Sequence, residues 1–577
     1  MLSGNPAARV EALDPLAART NYFVGGREQW HRDVPNFARV AYRSVYPGID
    51  VVYYGNQDQL EYDFVLHPGA DPRSIRLKFR GADRVRLTPE GDLSVEAAGA
   101  QFVQKRPVIY QEDPLTAERR PVEGRYELRA AGVVGLSLGG YDRSRPLVID
   151  PVVTYSVFIG GASTDVITAV TTDSQGFIYI AGYTQNGDLV AYGNAVQAAY
   201  SAGKDAFVAK LDPNANGAAT WVYFSYLGGA RDDAATAIRV NAAGLIYVTG
   251  TTTSSDFPLA GTAAQGTLAL STTSTSAVFP TDAFVTIISV TDGLVYSTYF
   301  GGTGNETPNA IALNPSGLAY ILGTTDSTDL PLTADAYQNL RWGPSDLFLA
   351  VIDPNTTAIA YSTYLGGEGR EDGRGLALGP NGLVYFAATS SSTLFPLSGD
   401  PYRRALSGFE NVVIGVMDLT QPAPNSLVYC TYFGGSSLDE VRGLFLDANG
   451  RLLVTGWTIS PDFPVTANAM EPTLVGAANA FVTRLNPAAP PSSFVEYSTY
   501  LGGSVGEVAY DVKSDASGSI YVTGYTMSPD FPVTLDTAVQ PTYGNGIDGF
   551  LVKFNPAVAG RPALQYGTYF GGIGTHV

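Results

Sequence analysis

The sequence predicts an all-β protein, a β-propeller of four-stranded blades preceded by a mainly antiparallel β domain. Three observations predict it. The phrase Tyr-Ser-Thr-Tyr-Leu-Gly-Gly recurs seven times with small variations, its first glycine falling at Gly160, Gly228, Gly301, Gly366, Gly434, Gly502 and Gly571. The intervals of 68, 73, 65, 68, 68 and 69 residues are those of one structural unit copied in series. Within each unit, apolar alternation and turn punctuation read as four short strands, and no stretch carries helical periodicity. Four strands repeated radially solve the edge-strand problem as a propeller. A β-helix would have much shorter rungs, and an α-solenoid would need helical patterning.

The elements follow in chain order. Residues 1–150 do not share the repeat. Their alternating segments Ile49-Asp-Val-Val-Tyr-Tyr54, Leu60-Glu-Tyr-Asp-Phe-Val-Leu66, Ile75-Arg-Leu-Lys-Phe79 and Leu93-Ser-Val-Glu-Ala97 read as antiparallel strands. Arg145-Pro-Leu-Val-Ile-Asp-Pro151 then leads into the first repeat strand without a Gly/Ser-rich linker, so residues 151–577 are expected to pack on the first domain. The unit is clearest after Gly502: strand Val508–Ser514, turn Asp515-Ala-Ser-Gly518, strand 519–526, a long loop, then strands 549–554 and 564–570. That loop holds most of the length beyond familiar propeller repeats and is expected to project from one face. Six complete units are preceded by an orphan fourth strand, 154–159. A truncated seven-bladed ring is the favoured reading, with six blades closing alone as the alternative. The start, Met1-Leu-Ser-Gly-Asn-Pro6, lacks the regions of a signal peptide, and the last copy stops short. The chain reads as a fragment trimmed at both ends.

Composition narrows the function classes. Of 577 residues, 45% are hydrophobic and only 15% charged, which marks a folded chain. Residues 1–150 balance 20 basic against 20 acidic residues, so the net charge of −19 lies wholly in the repeats. Such a field argues against phosphate-backbone binding, and no nucleic-acid partner is expected. No apolar run reaches the length of a membrane span. The single cysteine, Cys430, excludes an internal disulfide and reads as a small buried residue. The three histidines are His31, His67 and His576; the first two read as turn or surface residues.

The unit "Tyr-Ser-Thr-Tyr-Leu-Gly-Gly … Asp-x-x-Gly-x-Ile-Tyr-Val-Thr-Gly-x-Thr-x-Ser-x-Asp-Phe-Pro … Asp-x-Phe-Val" resembles the SBBP repeat, a bacterial and archaeal seven-bladed propeller family, over about residues 152–577. The phrases Asn21-Tyr-Phe-Val-Gly25, Val45-Tyr-Pro-Gly-Ile-Asp-Val-Val-Tyr-Tyr-Gly55, Leu60-Glu-Tyr-Asp-Phe64 and Leu147-Val-Ile-Asp-Pro151 are similar to the uncharacterised domain that often precedes such repeats. The resemblance implies a secreted or cell-surface protein, similar to surface-layer glycoproteins, and implies no established activity.

Three acid series recur. The first follows each Gly-Gly: Asp165, Asp233, Glu306, Glu371, Asp439 and Glu507, with His576 in the seventh copy. A ring of carboxylates suits Ca²⁺ or Mg²⁺, so these six are the candidate metal ligands. Acceptance of backbone N–H groups within the turn is the favoured role, because a functional site usually breaks symmetry. The second series, Asp256, Asp329, Asp462 and Asp530, lies in Ser-x-Asp-Phe-Pro loops, with Asp188 in the first unit and Thr393 at that place in the fourth. The third, Asp205, Asp282, Asp346 and Asp548, is replaced by Asn411 and Asn479, which suits a turn residue better than a general acid. Second-strand glycines (Gly182, Gly250, Gly323, Gly456, Gly524, with Ala388 standing in) are expected to allow close packing between blades.

No His-Glu-x-x-His, nucleophile elbow or Cys/His cluster is present, so no catalytic residue and no cofactor are assigned. The leading reading is a non-enzymatic extracytoplasmic propeller that binds protein or glycan at the cell surface through loops on one face. Trp342, Arg403 and Arg404 are the candidate ligand-loop residues, and Trp457 reads as packing. A carboxylate-dependent hydrolase is the runner-up. A calcium-stabilised scaffold is the third reading.

Overall fold

The computed structural model describes residues 5, 8–22, 31–56, 59–79, 84–87, 93–97, 100–104, 107–112, 119–129, 133–150, 160–213, 221–269, 279–534, 538, 540–544 and 546–571. Among them the secondary structure is β-strand with three short 3₁₀ turns, and no α-helix occurs. The chain forms two compact units. One comprises 1–159 with 213–217, and the other 160–212 with 218–577.

The first unit holds a seven-stranded antiparallel sheet and two three-stranded ones. The large sheet runs Arg9–Tyr22, His31–Tyr46, Ile49–Asn56, Gln59–Leu66, Leu147–Asp150, Val108–Glu112, Arg119–Pro121. Alternation puts Ile49, Val51, Phe64 and Leu66 into the core with Ile109, Leu147 and Ile149. Leu147–Asp150 is therefore a central strand, paired with Gln59–Leu66 and Val108–Glu112, rather than only a lead into the repeats. Of the expected strand at 75–79 only Leu77–Lys78 pairs, because Asp71 caps a 3₁₀ turn at Pro72–Ser74 just before it.

The second unit consists of six four-stranded antiparallel sheets at 165–227, 233–300, 306–365, 371–433, 439–501 and 507–570, each with its strands in sequence order. First strands pack side by side along the series. The orphan fourth strand at 154–159 lies outside the described residues. Each first strand carries a bulge opposite the second strand, for example between Ala235 and Ala237. There the second-strand glycine is required, but not for contact between sheets. A Cβ on Gly250 would overlap the carbonyl of Ala234 in the same sheet. In the fourth sheet Ala388 stands at that place, opposite Gly373.

The long loop does not project from the sheet; it turns back along the fourth strand. Bridges such as Ala260 to Ser297 and Gln338 to Tyr364 pair it with that strand, which covers the otherwise open edge. A buried phenylalanine anchors it, Phe257, Phe395, Phe463 or Phe531. A fourth-strand tyrosine closes the arrangement: Tyr500 Oη donates to Ser460 O (2.7 Å) and accepts from Phe463 N–H (3.1 Å).

Candidate functional site

Antiparallel order gathers four chain segments at one end of every sheet. The first strand begins there, the second ends, the third begins and the fourth ends. All three acid series and the Gly-Gly turns meet at that end.

Each acid of the first series begins a first strand and accepts the N–H of the second glycine of its turn. The distances are 2.6 Å for Gly161 to Asp165, 2.7 Å for Gly229 to Asp233 and 2.9 Å for Gly302 to Glu306. They are 3.3 Å for Gly367 to Glu371, 2.7 Å for Gly435 to Asp439 and 2.9 Å for Gly503 to Glu507. Hydroxyls at the end of the second strand take the other oxygen of Glu306, from Thr325 (2.6 Å), and of Glu507, from Thr526 (2.8 Å), whereas Asp233 Oδ1 has no hydrogen-bond partner. All but Asp165 are fully buried. Burial pushes Asp233 up to about 6 and Glu306 and Glu371 up to about 7. The six carboxylates serve six separate turns. No group of three or more His, Cys, Asp or Glu among the described residues is placed to hold a metal ion. His576 lies outside the described residues.

The second series acts on the same turns from the loop. Asp256, Asp462 and Asp530 accept N–H groups of Ala230 (2.9 Å), Ser436 (2.8 Å) and Ser504 (2.9 Å). In the fourth sheet the equivalent position is Leu394, not Thr393, since Leu394 precedes the anchoring Phe395 as Asp256 precedes Phe257. The carboxylate has moved across the gap: Glu368 accepts from Thr393 N–H (2.8 Å) and Leu394 N–H (3.1 Å).

The third series is buried and coupled to a partner that sequence reasoning missed. Gln265 Nε2 donates to Asp282 (2.9 Å) while its Oε1 accepts from Gly301 N–H (3.0 Å). Gln338 does the same for Asp346 (2.8 Å) and Gly366 N–H (3.0 Å). Where the aspartate becomes Asn411 or Asn479, the glutamine becomes Arg403 or Glu471. That joint exchange was the available signal. Arg403 is consequently half-buried and holds its turn through Gly434 O (2.6 Å). It is not a free ligand-loop residue.

Arg404 is exposed and forms a surface ion pair with Asp400 (3.2 Å). Trp342 is 62% exposed and Leu340 equally so, with Leu394 at 70%. The two loops that carry them abut one turn: Ser345 bridges to Arg370, and Glu368 binds Thr393 and Leu394. Phe409 is exposed at the far end of the loop that carries Leu394, where its N–H donates to Ser437 O (3.0 Å). Trp457 packs and donates Nε1–H to Glu440 (2.9 Å), and Cys430 is fully buried, which pushes its thiol up. In the first unit His67 Nε2 meets Oδ2 of buried Asp50 (2.8 Å), which also accepts from Arg43 (2.7 Å), while Asp50 Oδ1 accepts Ser44 N–H (2.7 Å). The His31 side chain lies outside the described residues.

Residues 1–152 match a domain of unknown function, DUF7948, and residues 155–189 match the SBBP β-propeller repeat. No curated protein matches the chain. Among solved structures, a protein of unknown function from Dyadobacter fermentans DSM 18053 is similar at 12% identity and a TM-score of 0.29, over 84% of this chain and 97% of that one. A glucose dehydrogenase is similar at 13% identity and 0.26, over 59% and 96%. An apocarotenoid oxygenase of Synechocystis is similar at 9% and 0.34, over 89% and 95%. Likeness at these scores carries no argument about activity.

Proposed function

We propose that this chain is a non-enzymatic extracytoplasmic interaction propeller, binding protein or glycan at the cell surface through loops at the Gly-Gly end of its sheets. One observation carries the reading: Leu340, Trp342 and Leu394 stand exposed on two loops that abut a single turn. Rigid exposed aromatics beside apolar side chains are the composition of recognition surfaces. The sheets beneath hold these loops by the carboxylate, glutamine and tyrosine bonds described above, so the patch is preorganised. Arg404 lies in the same loop as Leu394, where it can meet an acidic group.

The acids support this reading over a hydrolytic one. A carboxylate pair for glycoside hydrolysis must reach solvent and substrate, whereas the first and third series are spent inside the turns. Calcium stabilisation has no common ligand cluster among the described residues. Among the described residues no helix is long and apolar enough to cross a membrane.

The test is exchange of residues 339–343 for the matching 472–476 of the fifth sheet's loop. Labelled protein would be applied to an array of bacterial surface polysaccharides and to a membrane-protein extract. Bound signal is expected to fall at least about tenfold, with circular dichroism and melting unchanged, as for loss of a central aromatic anchor. Undiminished binding would sink the patch. Turnover of any arrayed glycan, abolished by one acid-to-amide change, would overturn the non-enzymatic reading.

A further inference from the structure

Every junction between consecutive sheets sets the residue that begins a third strand beside the acid that begins the next first strand. The two flank the first glycine of the pair, where a Cβ would strike both. Around Gly434 the pair is Asn411 Nδ2 and Asp439 Oδ2, 3.0 Å apart. Around Gly502 it is Asn479 Nδ2 and Glu507 Oε2, 2.9 Å apart. Each amide nitrogen also donates to carbonyls, Glu410 O (3.0 Å) and Gly435 O (3.1 Å) in one case, Ala478 O (3.1 Å) and Gly503 O (3.3 Å) in the other. The place is surrounded by oxygens and calls for an atom that bears hydrogen.

Around Gly228 and Gly301 the same place is taken by Asp205 Oδ1, beside Asp233 Oδ2, and by Asp282 Oδ1, beside Glu306 Oε2. Both aspartates are fully buried, and neither Oδ1 has a hydrogen-bond partner. Their other oxygens are engaged. Asp205 Oδ2 accepts from Ser201 N–H (2.7 Å) and Gln197 (3.1 Å), and Asp282 Oδ2 from Ala269 N–H (2.9 Å) and Gln265 (2.9 Å).

We propose that Asp205 and Asp282 are neutral acids in the folded protein, each donating its Oδ1–H to the carboxylate of Asp233 or Glu306, so that one proton latches the first sheet to the second and another the second to the third. Two ionised carboxylates in a buried junction repel each other with no donor between them. A protonated aspartate reproduces the asparagine of the later junctions in shape and in hydrogen placement. The junction of the third and fourth sheets is built differently, since Asp346 Oδ1 already accepts Gly343 N–H (3.0 Å).

The surrounding charges oppose ionisation. Asp326 and Asp329, with the phenols of Tyr299 and Tyr364, lie around the second pair. Asp232, Tyr200 and Tyr226 lie around the first. Lys204 and Arg231 adjoin that pair in sequence, but their cations rest on the rings of Tyr183 and Phe279. Burial first, then the charge of Glu306, pushes Asp282 up from 3.8 to about 8 despite the Ala269 N–H, and burial raises Asp205. A group whose folded value is raised holds its proton more tightly in the folded chain. Its stabilisation is full below the unfolded value and is lost as pH rises through the folded one. For Asp282 that window runs from 3.8 to about 8. Alkaline pH therefore loosens the first two junctions and spares those bridged by asparagine.

The test compares the full chain with Asp205→Asn/Asp282→Asn by infrared difference spectroscopy in D₂O at about pH 6, within the protonated window. The wild type is expected to show protonated carboxylic-acid C=O intensity beyond that of the variant, the excess titrating away above about pH 8. The wild-type melting temperature is expected to fall from about pH 5 to about pH 9, and the double variant to lose about half of that fall or more. Asn411→Asp is expected to add such intensity and steepen the fall. If the double variant does not fold, the intensity added by Asn411→Asp decides the matter alone. Absence of that excess intensity, or equal pH slopes, would overturn the proposal. So would removal of the excess by millimolar calcium with a rise in melting temperature, which would assign the junction to a cation.

Discussion

Leu394 fills the position held by Asp256, Asp462 and Asp530 in other sheets, and Glu368 supplies the carboxylate from the opposite side of the gap. The Thr393 hydroxyl, then the N–H groups of the loop, hold Glu368 down at about 2. A depressed carboxylate contributes stability that is present above its unfolded value and lost as pH falls through the folded one. Glu368→Ser is therefore expected to cost about 1 kcal/mol at neutral pH and to flatten the acid limb of stability between about 4.5 and about 2, read by urea unfolding across pH. Adding Leu394→Asp rebuilds the arrangement of the other sheets, Ser436 with Asp462 for instance, and should recover most of the loss. A double variant no more stable than Glu368→Ser would contradict the exchange. The first acid series was legible as turn chemistry because its spacing from the glycines never varies. The Gln–Asp coupling was not read, although Arg403 with Asn411 and Glu471 with Asn479 displayed it.

Within one sheet the demands are steric. The bulge of the first strand brings a carbonyl close against the second-strand glycine of five sheets, while the fourth sets Ala388 opposite Gly373. Gly250→Ala is expected to destabilise by about 1–3 kcal/mol as overpacking. Combining it with Ala235→Gly copies the Ala388 and Gly373 pair and should recover part of that, measured by thermal melting. The loop anchor is expected to matter more: Phe463→Ala should cost about 3–5 kcal/mol by leaving a cavity. Tyr500→Phe, which deletes the bonds to Ser460 and Phe463 but keeps the ring, should cost about 1–2 kcal/mol. If the two costs prove equal, hydrogen bonding rather than packing fixes the loop. The strand limits at 507–514, 520–526, 548–554 and 564–570 were readable to within a residue, since β-branched and aromatic runs end at Gly and Asp turns. The backward course of the loop was not, because its partner is a strand that comes later in the chain.

At the scale of the whole molecule, position in the series of sheets decides what a strand can tolerate. Val170 and Ile238 hold the same place in successive first strands, yet Val170 is 60% exposed and Ile238 is 0% exposed. Val170→Lys is expected to shift stability by no more than about 0.5 kcal/mol, as for a surface change, whereas Ile238→Lys should unfold the second sheet by burying an unpaired charge. Calorimetry on the two variants checks this, and equal losses would refute the difference in environment. The first unit was legible only as alternating segments. With no internal copy to compare, nothing in 147–150 revealed that it lies between strands 59–66 and 108–112.

The sequence by itself determined the repeated four-stranded sheet, its turns and its bulge-facing glycines, because these depend on contacts within a few residues or on a pattern copied six times. Tertiary structure alone decided which carboxyls face one another, which arginine is spent inside a turn, and which aromatic stays in solvent. Those outcomes depend on a neighbouring sheet whose nearest atoms lie tens of residues away, and the desolvation and charge they impose leave no local mark on the chain.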